Sequence, residues 1–207
     1  MAETYPLALA VYDFVPVAFF LIGAIFFVRM ATQICDDRCG RLAMAGSVLV
    51  FLGGFLKAIW KLLFTLGVGD FQLLSESQFV LLAPGFLALL VVVIRMARSE
   101  RMVRERNAAV MLAMAGWKIP FLIVMTLASM GVQGILTYIS FRRTAKLAAS
   151  GFIVAFLCLV GMGAMASGEQ TLRMQWIQQS VNSLGQLGFM MGSILLHKNA
   201  ASSQTMP

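Results

Sequence analysis

Residues 42–56 read Leu42-Ala43-Met44-Ala45-Gly46-Ser47-Val48-Leu49-Val50-Phe51-Leu52-Gly53-Gly54-Phe55-Leu56, fifteen positions without one ionisable side chain. With the residues that follow, the apolar stretch covers about 42–66. A helix crosses the hydrocarbon core of a bilayer in about 20 apolar residues, so the stretch predicts a transmembrane helix. The same pattern recurs on both sides. Polar residues mark off six apolar segments, at about 6–31, 42–66, 76–97, 107–134, 145–166 and 173–196, joined by short connectors.

The expected fold class is an all-α polytopic membrane protein of six transmembrane helices, one transmembrane domain over 1–207. Seven segments, or a re-entrant hairpin over 107–141 around Gly116-Trp117-Lys118-Ile119-Pro120, are the alternatives. Composition agrees. Of 207 residues 60% are hydrophobic and 12% charged, with a mean hydropathy of +0.86. A soluble globule uses roughly twice that charge to cover its surface. Met1 to Leu7 holds Glu3, no Lys or Arg, and no small-residue cleavage site follows, so the first apolar stretch is expected to remain as a helix.

Orientation follows from the connectors. Arg98-Ser99-Glu100-Arg101-Met102-Val103-Arg104-Glu105-Arg106 is the most basic stretch, and such stretches stay on the cytoplasmic face. The N-terminus is then outside, with a bacterial inner (plasma) membrane as the expected location. Arg29, Arg38 and Arg41 fall inside and Asp70 outside, as the rule asks. Arg142, Arg143 and Lys146 fall outside, against it. The net charge of +7 is spread over connectors, which suits the anionic headgroups of membrane lipids and argues against nucleic acid.

A shift of about 104 residues superposes features of the two halves in order. Pro16 matches Pro120. Arg41-Leu42-Ala43, Gly46 and Phe51-Leu52 match Lys146-Leu147-Ala148, Gly151 and Phe156-Leu157 at identical spacing. Gly85-Phe86 with Arg95 matches Gly188-Phe189 with Lys198. Two three-helix repeats, 6–97 and 107–198, are therefore expected. Three spans joined without a linker helix would make the halves inverted, a plan shared with transporters, and would account for the misplaced Arg142, Arg143 and Lys146.

Ionisable groups inside spans cost several kcal/mol unless paired or hydrated, which singles out Asp13, Lys57, Lys61 and Lys118. Asp13 precedes Pro16, a helix breaker. Lys57 and Lys61 share one face behind Gly53 and Gly54, which permit close approach or a bend. Lys118 stands beside Trp117 and two residues before Pro120, in the place that corresponds to Asp13, so the two charges could meet near the midplane. The last span carries Gln175, Gln179, Asn182 and Gln186 on one face for about three turns. Such amides line a polar path or bond neighbouring helices. The candidate solute-binding residues are thus Asp13, Lys57, Trp117, Lys118, Gln175, Gln179, Asn182 and Gln186, and the candidate hinges Pro16, Gly53, Gly54 and Pro120.

Catalytic chemistry is poorly represented. One histidine, His197, and three cysteines supply no multi-histidine metal site and no disulfide framework. Cys35 and Cys39 flank Asp36 without the further ligands a structural metal needs, so no metal or cofactor is expected. An intramembrane enzyme acting on lipids is the weakest reading for want of clustered carboxylates or a Ser/His pair. A small transporter or channel moving a small polar or anionic solute is preferred. A non-catalytic receptor or accessory subunit that binds a lipid or partner helix is the alternative, and association into a homo-oligomer is not decided by the sequence.

Overall fold

The computed structural model describes residues 6–100, 118–165 and 171–204; of residues 100, 118–122, 203 and 204 it describes the backbone only. No strand occurs among the described residues. α1 (Leu7–Tyr12) and α2 (Phe14–Ile34) form one span interrupted at Asp13. The interruption follows from Pro16, which has no N–H to offer the Tyr12 carbonyl one turn back. Asp13 keeps helical dihedrals and its N–H donates to Leu9 O at 3.2 Å, so the chain runs on in the same direction. The remaining helices are α3 (Asp37–Thr65), α4 (Gln72–Glu100), α5 (Lys118–Arg142), α6 (Lys146–Met165) and α7 (Leu172–Gln204).

Among the described residues five helical stretches are long and apolar enough to cross a membrane: Leu7–Ile34, Asp37–Thr65, Gln72–Ser99, Ile123–Arg142 and Lys146–Met165. Leu21, Ile25, Leu52, Val91, Leu127 and Leu157 are exposed on the outside of the bundle, where only lipid would accept them. The chain is an α-helical integral membrane protein. α7 has 33 residues, roughly 50 Å of helix, and its amides keep it out of the most apolar group. α5 continues without a break from Lys118 to Arg142.

The six long helices close into a ring in chain order. α2 packs on α3, α3 on α4, α4 on α5, α5 on α6, α6 on α7, and α7 back on α2. Their directions can be read from the contacts. α2 and α3 are antiparallel, since Asp13 meets Lys61 near one end and Gly40 packs on Thr32 near the other. α3 and α4 are antiparallel, with Gly46 against Ala88 and Gly53 against Gln78. α6 and α7 are antiparallel, with Gly151 against Gly192 and Cys158 against Gly185. The connector 143–145 turns α5 back into α6, with Thr144 at φ +57° and Ala145 N–H donating to Ser140 O at 2.9 Å. α2 and α7, by contrast, are parallel: Tyr12 meets Trp176, Phe20 stacks on Phe189, and Phe26 meets His197.

These relations fix the rest. If α7 runs with α2, then α5 does too, and α4, two antiparallel steps from α2, runs the same way. Consecutive helices α4 and α5 therefore point in one direction, and the chain between residues 100 and 118 joins opposite ends of the bundle. Seventeen residues suffice for that, since they reach roughly 26 Å as an α-helix and about 60 Å fully extended.

The inverted relation expected from the sequence is thereby corrected. α2, α3 and α4 run in the same senses as α5, α6 and α7. The expectation counted 107–134 as one span, whereas α5 lies at Lys118–Arg142, and residues 107–117 of that segment lie outside the described residues. Charge placement agrees with the correction. Arg29, Arg38, Arg41, Arg95, Arg98, Arg142, Arg143, Lys146 and Lys198 all come to one end of the ring, so the conflict over the α5–α6 connector disappears.

Two glycine pairs set the closest helix contacts. A Cβ on Gly46 would lie 3.0 Å from Gly85 O, and one on Gly85 would lie 3.0 Å from Gly46 O. Gly151 and Gly188 repeat the arrangement more tightly, at 2.7 Å each way. Hydrogen in place of a side chain lets these backbones touch, which is how helices pack where lipid provides no hydrophobic drive. Between the two units, Phe189 of α7 stacks on Phe20 at 5.6 Å and touches Phe27 and Phe152 at 6.3 Å each, binding α2, α6 and α7 together.

Candidate functional site

α2, α4, α5, α6 and α7, but not α3, place residues against a cavity inside the ring. Phe20, Phe86 and Ala155 stand at or beside the centres of Leu7–Ile34, Gln72–Glu100 and Lys146–Met165, so the cavity lies at mid-depth. Its volume is about 60 Å³. Phe20, Phe86, Leu89 and Phe189 make an apolar wall. Ser129 and Gln133 of α5, Cys158 of α6, and Asn182 and Gln186 of α7 also line it. Ser129 Oγ donates to Thr126 O at 2.9 Å, which leaves its lone pairs to accept. Gln133 Oε1 is buried without a hydrogen-bond partner among the described residues. Such an atom in hydrocarbon is costly unless something enters to bond it.

Of the amide face expected on the last span, Asn182 and Gln186 reach this cavity. Gln175 and Gln179 lie nearer the start of α7 and are not part of its lining. Gln175 Oε1 is buried without a partner among the described residues, while Gln178 Nε2 donates to Met165 O at 3.1 Å and ties α7 to the end of α6. One stretch of amides thus both borders the cavity and bonds a neighbouring helix. Ser129, Gln133 and Cys158 were not among the sequence candidates. The signal for the first two was present, because Ser129 and Gln133 are four residues apart and share a helix face in an otherwise apolar run.

The charged candidates assemble elsewhere. Asp13 is 8% exposed and accepts from Lys61 Nζ through both oxygens, at 3.0 Å to Oδ2 and 3.2 Å to Oδ1. Lys57, one turn away, interacts electrostatically with Asp13 and Lys61 but is exposed and in no ion pair among the described residues. Asp13, Lys57 and Lys61 are absent from the cavity wall. Trp117 and the side chains of Lys118 and Pro120 lie outside the described residues. α3 passes through Gly53 and Gly54 without a break. Gly53 instead brings the backbone against Leu82 of α4, where a Cβ would lie 3.0 Å from Cγ. α4 contains a proline that the sequence reading passed over, Pro84, within its apolar run.

No protein family, curated protein or solved structure matches this chain. Function therefore has to be argued from the arrangement alone.

The α2–α3 corner departs from expectation. Asp36 caps α3 by accepting the Cys39 N–H at 2.6 Å. The turn this imposes brings the Cys35 and Cys39 Cα atoms to 6.1 Å, and the two are joined as a disulfide. Cys158 is left as the free thiol. Were the pair reduced, Cys35, Asp36 and Cys39 would offer three ligand atoms within 4.8 Å of one another. A structural zinc takes four, and among the described residues no fourth Cys, His or carboxylate joins them.

Proposed function

We propose that the chain is a small membrane transporter or channel, with a central site between two three-helix repeats, that passes a small polar or anionic solute. The observation that carries this reading is the mid-depth cavity, enclosed by helices of both units and holding polar side chains that lipid would not tolerate. Transporter sites lie near the midplane at the junction of repeats, and repeats that run the same way are related by an axis along the membrane normal. The ring supports such an axis. Exchanging α2, α3 and α4 with α5, α6 and α7 carries the α2–α3 contact onto α5–α6, α3–α4 onto α6–α7, and α7–α2 onto α4–α5. The same exchange carries the Gly46–Gly85 pair onto Gly151–Gly188.

Because α2 and α7 run the same way, the start of the first span and the end of the last lie on opposite faces, N-terminus outside and C-terminus inside. Tags at the two ends should therefore be cleaved by an impermeant protease from opposite faces of sealed cells. Cleavage of both from one face would restore an even number of crossings.

Transport is tested with the purified protein in liposomes, following the uptake of neutral polar solutes, anions and cations. Flux of at least one solute should be present and should fall by most of its value in Asn182→Leu and Gln186→Leu. Tight vesicles with folded protein and no flux for any solute would remove the reading in favour of a receptor or accessory subunit.

A further inference from the structure

The cavity also constrains what occupies it. Among the described residues no Asp, Glu, Lys, Arg or His belongs to its wall, and the Asp13–Lys61 pair lies in another part of the bundle. An anion entering would give up its hydration with no cation to meet it, at a cost of several kcal/mol. It would also face Gln133 Oε1, an acceptor whose lone pairs repel negative charge. A hard cation fares little better, because calcium and magnesium sites take about six or more oxygen ligands. The wall supplies four oxygen-bearing side chains, set among phenylalanine and aliphatic ones. What one atom of the wall lacks is a donor. Gln133 Oε1 has none, and Ser129 Oγ has lone pairs to spare.

Size narrows the class further. A cavity needs about 10–15 Å³ to hold one water, so about 60 Å³ accepts a small cluster of waters or one molecule of a few heavy atoms. Building on the transport reading, we infer that this site takes a small uncharged hydrogen-bond donor, of the size of water, formamide or urea, and rejects anions. The donor's N–H or O–H bonds Gln133 Oε1, the amides of Asn182 and Gln186 complete its polar contacts, and the phenylalanine rings bound the rest.

Cys158 allows the charge preference to be measured without transport. It is the free thiol, and it lines the cavity. Iodoacetamide and iodoacetate have nearly the same shape and differ in charge. With rates normalised to the unfolded protein, iodoacetamide should modify Cys158 in the folded protein on the order of tenfold faster than iodoacetate, equivalent to about 1.4 kcal/mol of selectivity. Excess urea should slow it. In liposomes, urea or formamide flux should exceed that of chloride, phosphate and potassium, and should fall in Gln133→Leu and, should that variant not fold, in Asn182→Leu.

Equal normalised alkylation rates would overturn the inference. So would anion or potassium flux that is lost in these variants, and in that case transport itself would stand. Neutral-selective alkylation with no flux of any solute would uphold the assignment of the occupant and overturn the transport reading.

Discussion

Asp13→Leu should lower the unfolding midpoint in detergent by on the order of 10 °C, because it removes the carboxylate from a largely buried ion pair with Lys61. Lys61 is only 12% exposed along its side chain and receives both carboxylate oxygens. Breaking a buried pair from one side costs about 3–5 kcal/mol, most of it the penalty on the charge left behind. The two ends of the pair are not equivalent. Removing Asp13 leaves Lys57 and Lys61 repelling one another a single turn apart, whereas Lys61→Met leaves Asp13 with Lys57 still in electrostatic range. Lys61→Met should therefore cost clearly less, and Asp13→Leu with Lys61→Met should recover part of the loss. Thermal unfolding of the three variants measures the order directly. Equal losses from both single changes would mean that Lys57 does not stand in.

The second large effect belongs to Gly188. A methyl group there would lie 2.7 Å from Gly151 O and 3.2 Å from Ala155 N, both backbone atoms of α6 that cannot rotate away. α6 and α7 would have to part by several tenths of an ångström along a close-packed seam. Overpacking of this kind costs about 1–3 kcal/mol and sometimes more, and the upper end is expected where backbone meets backbone. Gly151→Ala strains the same contact from the other side, so the double variant should cost less than the sum, since one separation relieves both. Gly134→Ala is the control. Nothing lies within 4 Å of a Cβ there, and alanine improves a helix interior by up to about 1 kcal/mol. A stable, unchanged Gly188→Ala protein would show that the seam is looser than these distances.

Much of this architecture could be read from residue order. The apolar runs, the polar marks between them and the spacing of Gly46, Gly85, Gly151 and Gly188 lie in the sequence, and Asn182 and Gln186 stand out as amides where lipid would exclude them. The sense of the second half could not be read the same way. Residues 107–117 are apolar and pass without a polar mark into Lys118–Arg142, whose Lys118 and Pro120 come too early to separate them. One long segment was counted where the chain does two things, and an inversion followed from the count. The partner of Asp13 was hidden for another reason. Lys61 is distant in sequence and becomes a neighbour only once α2 and α3 fold back on each other. Gln133 was overlooked because a single amide in an apolar helix gains meaning only from what faces it.

A unit of three crossings begins on one side of the membrane and ends on the other, so a tandem copy of it would start on the wrong side and be threaded upside down. Here α4 and α5 run the same way, so the chain between residues 100 and 118 has to join opposite ends of the bundle. Shortening this stretch by ten residues would leave too little chain to travel back, and the second unit could enter only in the opposite sense. Its glycine seam would survive, but the α2–α7 contact and the polar wall of Ser129, Gln133, Asn182 and Gln186 would be lost. The least conspicuous stretch of the chain thus decides whether two similar halves make one enclosure or two unrelated bundles.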